Sequence, residues 1–415
     1  MTQRDIRAPR PTDPGTPSPV VPLLAAAALA AVVIAAACAL AGCARYEYDG
    51  VDLSAHVPEA YLADVATSLE RAGGNGGEIL EAITTAPAED REALAFLVAE
   101  MPAVDLATAD SDLLLESVRL AREARETFPW GAGVPDDVYL HYVLPMRVSQ
   151  EPLENWRPHL MKQLSERLAG IDSMEEAALE VNRWCGERVG FKPTQRRDQG
   201  VFETLASGYG RCEEMMIVHI AALRSVSIPA RQAWTPYWTT CDNNHAWTEL
   251  WVDGSWYYTG ACEPADELNR AWFDERVKGA ALVLSSVCGT PSGDDDVYRE
   301  EERYSLVNSI GNYAVPGTLS VVVDDDGEPA RGAPVTISVW NFGALRAIAR
   351  IKTDERGRAR ISLGAGTYFV CAGSPDDYDW EQAVTRSGEP TSIELDLDDV
   401  PEFNAEFWMR YEKPE

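Results

Sequence analysis

Basic residues are scarce in this 415-residue chain: 36 Lys and Arg stand against 67 Asp and Glu, a formal net charge of −31. That deficit excludes a nucleic-acid binder, which needs clustered cations along a phosphate backbone, and argues against docking on anionic lipid headgroups. The acidic surplus serves solubility. Of the 8 cysteines, no two have the C-x-x-C spacing of a metal-ligand pair, so neither a metal nor a cofactor is expected. Low-complexity sequence is missing outside the N-terminus. With 46% hydrophobic and 25% charged residues the composition is that of a globular protein, long enough for two or three domains.

At the N-terminus, Arg4, Arg7 and Arg10 precede an Ala/Val/Leu run from Val20 to Ala41, the basic and apolar regions of an export signal. The run ends in Leu40-Ala41-Gly42-Cys43, which resembles the lipobox of bacterial lipoproteins, where small residues admit the signal peptidase and the cysteine is acylated. The resemblance implies that residues 1–43 are a signal peptide, that Cys43 carries lipid (palmitate among its chains), and that the mature chain is tethered to the extracytoplasmic face of the cell membrane. The alternative is an uncleaved anchor, since about 20 apolar residues span a bilayer. Both place residues 44–415 outside the cytoplasm. Cys38 leaves with the signal. Cys185, Cys212, Cys241, Cys262, Cys288 and Cys371 remain, and their spacings announce no disulfide framework.

Residues 44–172 read as helical. Tyr61-Leu62-Val65-Leu69 and Leu94-Leu97-Val98-Met101 fall on three-four spacings, and Asp110-Ser111 and Glu151-Pro152 precede further helices. Ser173 caps another amphipathic helix running to Cys185. After an aperiodic stretch over 190–210, Gly208-Tyr209-Gly210-Arg211 leads into Cys212 at the first turn of a buried helix. Beyond Pro229 the period becomes that of strands: Ala230–Trp238, His245–Val252 and Ser255–Cys262, the last two joined by the hairpin pair Asp253-Gly254, with another strand over Ala281–Val287. Residues 291–316 are polar and acidic and read as a linker. Short strands then alternate with turns over 317–399, a small antiparallel β-sandwich, before a tail at 400–415.

Cysteine acyl chemistry needs a thiolate, a base within reach and donors for the oxyanion. Cys212 begins a helix, whose free N–H groups favour a thiolate, and His245 opens a strand with a near-neutral imidazole. Gly210-Arg211-Cys212, Ile228-Pro229-Ala230-Arg231, His245-Ala246-Trp247 and Trp256 follow one another in the order of the transglutaminase-like superfamily's motifs, and the chain resembles that family over residues 173–290. The strand from Trp256 to Pro264 is similar to that of the peptide N-glycanase branch, and the sandwich resembles transthyretin-like or carboxypeptidase-regulatory-like modules. The resemblance implies an α+β fold with a papain-like core, in which Cys212 is the nucleophile, His245 its base and a carboxylate the third member.

Two positions depart from the family pattern. Gly260 stands where an Asp is usual, four residues after Trp256, and Ser227 stands where a Gly usually precedes Ile-Pro-Ala-Arg. With Asp253-Gly254 as a two-residue loop, cross-strand partners sum to 507, so Trp247 would face Gly260 and His245 would face Cys262. Glu263 then replaces the missing carboxylate only through a bulge or strand end. Asp242, Asn243 and Asn244 are alternatives from the preceding loop. Arg211 is a candidate for substrate carboxylate and Arg231 for a salt bridge; His219 reads as core. The Asp runs at 294–296 and 324–326 lack a calcium loop's spacing and read as solvated turns. The function expected is cysteine-dependent amide hydrolysis or acyl transfer on a peptide, protein or glycopeptide. The alternative is a catalytically degenerate binding or scaffold protein on the same fold.

Overall fold

The structure, a computed structural model, describes residues 46–194, 197–291, 293, 295–374 and 377–398. Cys43, the apolar run before it and the 400–415 tail lie outside the described residues. Residues 46–52 form a unit of their own, a hairpin of β1 (Glu47–Tyr48) and β2 (Val51–Asp52) turning on Asp49-Gly50 with φ of 48° and 78°. Among the described residues no helix is long and apolar enough to cross a membrane.

The helical region comprises α1 (Leu62–Arg71), α2 (Gly76–Thr85), α3 (Arg91–Ala99), α4 (Ala103–Leu106), α5 (Ser111–Thr127), α6 (Asp136–Tyr142) and α7 (Arg157–Arg167). The apolar stripes are buried as the periodicity requires: Leu62, Val65 and Leu69 on α1, Leu94, Leu97 and Val98 on α3. Asp110 caps α5 by accepting from Leu113 N at 2.7 Å.

The core continues with α8 (Met174–Gly186), β3 (Gly190–Phe191), α9 (Val201–Ser207), β4 (Tyr209–Gly210) and α10 (Cys212–Ser225). It then adds β5 (Ala230–Thr235), β6 (His245–Val252), β7 (Ser255–Thr259), α11 (Asp274–Val277), β8 (Leu284–Cys288), β9 (Val297–Glu300) and β10 (Tyr304–Asn308). Every residue of α10 from Glu214 to Ser225 is buried, so the helix that begins with Cys212 is enclosed on all sides. Its C-terminal end needs partners for free carbonyls. The buried Arg157 of α7 donates to Arg224 O at 2.9 Å, and Trp130 Nε1 donates to Val226 O at 2.8 Å. The helical region therefore pins the far end of the Cys212 helix. Ser227, just past that end, has φ 59°. This left-handed conformation costs a serine about 1 kcal/mol and explains why glycine suits the position.

Six antiparallel strands form the core sheet in the order β7-β6-β5-β8-β10-β9. Residues 291–316 are therefore not a linker: β9 and β10 complete this sheet, with the charged Arg299 and Glu300 facing solvent on the edge strand β9 and Ser305 to Asn308 of β10 buried. A buried pair braces it. Arg231 Nε donates to Glu249 Oε2 at 2.7 Å, and Ser285 and Tyr313 hydroxyls fill the remaining carboxylate sites at 2.7 and 2.6 Å. Loss of one partner would strand the other charge at a cost of about 3–5 kcal/mol.

The sandwich packs β11 (Gly317–Asp325), β12 (Glu328–Pro329), β15 (Arg358–Leu363) and β18 (Pro390–Asp396) against β13 (Pro334–Asn341), β14 (Ala344–Lys352), β16 (Gly366–Ser374) and β17 (Asp377–Thr385). Alternate residues point inward, as on β11, where Leu319, Val321 and Val323 are buried. The sandwich core runs without a break into Ala281, Leu282 and Leu284 of the preceding core.

Candidate active site

Gly210 precedes α10 where a Cβ would lie 2.9 Å from Glu214 Cβ and 3.2 Å from Met215 N. Only glycine lets the chain turn so tightly onto α10. Glu214, fully buried, holds this approach. Its carboxylate accepts from Arg211 N at 2.6 Å, Thr194 Oγ1 at 2.7 Å and Gln199 N at 3.3 Å. Burial opposes its charge, but these donors outweigh it and hold the carboxyl below the usual range. Arg211 pairs with Asp198 at 2.7 Å and with Glu214 at 3.2 Å. The guanidinium proposed from sequence for a substrate carboxylate is thus engaged in fixing the loop.

Cys212 is the first residue of α10, and its Sγ donates to Glu213 Oε2 at 3.1 Å. Burial first, then the charge and hydrogen bond of Glu213, push the thiol up to about 12, outweighing the backbone N–H groups of Ala246 and Glu213 that favour the thiolate. Burial, together with an acidic neighbour aimed at the sulfur, thus opposes the thiolate expected from the helix N-terminus.

His245 opens β6 and is 9% exposed. Its ring lies among Trp238, Trp247, Trp272 and Phe273, with centroids 6.4, 5.9, 4.9 and 4.9 Å away. Burial among these rings, with a smaller push from Arg276, lowers its pKa to about 4. Nε2 is buried without a hydrogen-bond partner. Cys212 and His245 face a common cavity of about 590 Å³, shared with Arg211, Glu213, Glu263, Trp272 and Arg276. A second cavity of about 530 Å³ shares the wall formed by Glu213, Asn244 and Ala246.

The β6–β7 register sums to 507 from Val252↔Ser255 to Thr248↔Thr259 and stops there. Trp247 does not pair with Gly260, nor His245 with Cys262. Instead the chain turns: Cys262 takes φ 55°, and Asn182 of α8 donates to Thr259 Oγ1 at 2.9 Å, Gly260 O at 2.8 Å and Glu263 O at 3.3 Å. The strand end returns Glu263 to the site. A Cβ on Gly260 would lie 2.5 Å from Glu263 Oε2, so the Glu263 carboxylate occupies the space that a side chain at 260 would fill. Trp272 Nε1 donates to the same oxygen at 2.9 Å. Burial raises the Glu263 pKa, and the Trp272 bond offsets part of that rise.

The other candidates are placed differently. Asp242 accepts from Phe342 N at 2.7 Å, across on the sandwich. Asn244 is exposed and lines both cavities. His219 is buried, its Nδ1 3.0 Å from Thr248 Oγ1. Asp325, Asp326 and Asp398 bring exposed carboxylates within 4.8 Å of one another, a solvated cluster on the sandwich. Sequence reasoning missed Trp238, Trp272 and Glu213. The first two are aromatic neighbours set by loops, and the third was visible only as an acid beside the cysteine.

Residues 162–261 match the transglutaminase-like superfamily, a span from within α7 to the turn after β7 that carries both Cys212 and His245. The fold is α+β with a transglutaminase-like core. Among solved structures, a candidate cysteine protease from Cytophaga hutchinsonii is 16% identical, covering 40% of this chain and 61% of its own, with a TM-score of 0.25. A candidate protease from Parabacteroides distasonis is 12% identical over 54% and 36%, with a TM-score of 0.25. The Bacillus anthracis TIE protein is 15% identical over 29% and 26%, with a TM-score of 0.18. The chain thus spans less than two thirds of each, and likeness at these scores carries no weight for function. No curated protein matches the sequence.

Proposed function

We propose that the chain is a cysteine-dependent amide-bond hydrolase or acyltransferase acting through a thioester. The observation that carries this reading is the placement of Cys212, at a helix N-terminus, and His245 on one cavity, within the segment that matches the transglutaminase-like superfamily. Thiol and imidazole are both neutral at rest, so the chemistry begins with His245 as base. Sγ bonds to the amide carbon as its proton passes to the imidazole, and the carbonyl oxygen takes the negative charge. The imidazolium then protonates the departing amine as the C–N bond breaks, leaving a thioester on Cys212. Water or a second amine attacks the thioester and returns the thiol. Glu263 is the proposed third member, orienting the imidazole and stabilising its cation. Peptides, proteins or glycopeptides are the proposed substrates.

Replacement of Cys212 by Ala abolishes labelling by a cysteine-directed amide probe; labelling equal to wild type rejects the reading. A binding protein on the same fold is the second reading, and the Cys212 thiol held by the Glu213 carboxylate at 3.1 Å, an arrangement that disfavours the thiolate, is the observation that favours it. It is supported if wild-type protein resists the probe while remaining folded. The proposal also places the chain on the extracytoplasmic membrane face through lipid on Cys43. A Cys43→Ser variant should then move from the detergent phase to the aqueous phase on partitioning, and an unchanged distribution counts against the anchor.

A further inference from the structure

The sandwich meets the active site at the tip of the β13–β14 hairpin. Asn341, which ends β13, is 1% exposed, and its side-chain amide donates to Trp238 O at 2.9 Å and to Cys241 O at 2.8 Å. The adjacent Phe342, with φ 50°, directs its N–H to the Asp242 carboxylate at 2.7 Å. All three acceptors belong to the loop that joins β5 to β6 and delivers His245. Within that loop Trp238 N donates to Asn243 O at 2.9 Å and Asn243 N to Cys241 O at 3.0 Å, so the segment closes on itself around the groups that Asn341 grips. Trp238 is buried, its ring stacked 6.2 Å from Trp247 and 6.4 Å from His245. Trp238, Asn243 and Asn244 all line the cavity that holds Cys212.

We infer that Asn341 is a positioning residue for His245, acting through Trp238, and that the β-sandwich is a structural part of the active site. Two loop carbonyls point toward the sandwich, and one carboxamide supplies both donors. Without it the Trp238 carbonyl is left unpaired in a buried seam and the Cys241 carbonyl keeps only the Asn243 N–H, which favours a loop that opens to water. Opening withdraws Trp238 from the imidazole and hydrates a ring that burial now keeps neutral. The charged groups sharing the cavity with His245 are Arg211, Glu213, Glu263 and Arg276. None of them belongs to the seam, so releasing the loop changes the ring's solvation before it changes its charge partners.

The test uses the 415-residue chain labelled with ¹³C-histidine and compares Asn341→Leu with Asn308→Leu. The control loses a different bond between catalytic half and sandwich, from Asn308 to Ser362 O at 2.9 Å. Both variants should melt below wild type. In Asn341→Leu alone, His245 should titrate about one pH unit or more closer to its ordinary value, and the alkylation rate of Cys212 by iodoacetamide should change about threefold or more. Identical His245 titration in Asn341→Leu and wild type overturns the inference, as does an equal shift in the control. If Asn341→Leu fails to fold, the exposed Asp242→Ala removes the Phe342 contact and should give a smaller shift in the same direction; no shift then decides against it. The inference rests on reading His245 as the base of Cys212, but neither readout requires a substrate. A shift without amide turnover refutes that reading and leaves the positioning role standing.

Discussion

Glu213 and Glu214 are neighbours in sequence with opposite tasks. Glu214 turns back to tie the Arg211 loop to the helix, while Glu213 faces the sulfur of Cys212. That Cys212 and His245 share a cavity was legible because the motifs that surround them are ordered and specific. The restraint on the thiol was not, since the sequence shows two acids after the cysteine and only helix geometry says which one reaches it. Glu213→Gln removes the charge but keeps a polar partner. The alkylation midpoint of Cys212 should fall by about a unit or more from its present high value, with His245 unaltered. A midpoint that stays put would assign the raised pKa to burial alone.

At the scale of elements, the turn after β7 decides whether the site has a third member. The hairpin at Asp253-Gly254 was readable, with φ of 48° and 97° at the two residues and the register its length dictates. The premature strand end was not, because nothing in Gly260-Ala261-Cys262 marks where pairing stops; Asn182, from a helix distant in sequence, sets it. Likewise β9 was hidden by the acids around it, which made 291–316 read as a linker. A carboxylate at position 260 and one from Glu263 would compete for one space. Glu263→Ala and Gly260→Asp should each lower kcat, the first by about 10²-fold, while the double variant should recover part of the loss. A double variant no better than either single one would show that this space holds no functional carboxylate.

For the molecule as a whole, two buried imidazoles tie stability to pH. Burial lowers His219 to about 3 and His245 to about 4, against an ordinary 6.5. Below 6.5 the unfolded chain takes up protons that the folded chain refuses. The stability they confer is therefore complete above pH 6.5 and is lost as pH falls toward 3–4. Between pH 7 and pH 5, His219 accounts for about 2 kcal/mol of that loss. Urea unfolding at the two pH values should show a smaller difference in His219→Leu than in wild type, and an equal difference would mean that carboxylates carry the effect.

The sandwich also sets an order in time. Its first strand, β11, pairs in parallel with its last, β18, from Thr318↔Pro390 to Asp324↔Asp396. A chain made from its N-terminus releases Cys212 and His245 long before residue 396. Until β18 arrives, β11 lacks one of its neighbours and the sheet that backs the β13–β14 hairpin is incomplete. Asn341 then has no firm footing from which to hold the Trp238 loop. A nascent chain therefore carries Cys212 and His245 unmounted, and the last segment of the sandwich to be synthesised is the one that completes their setting.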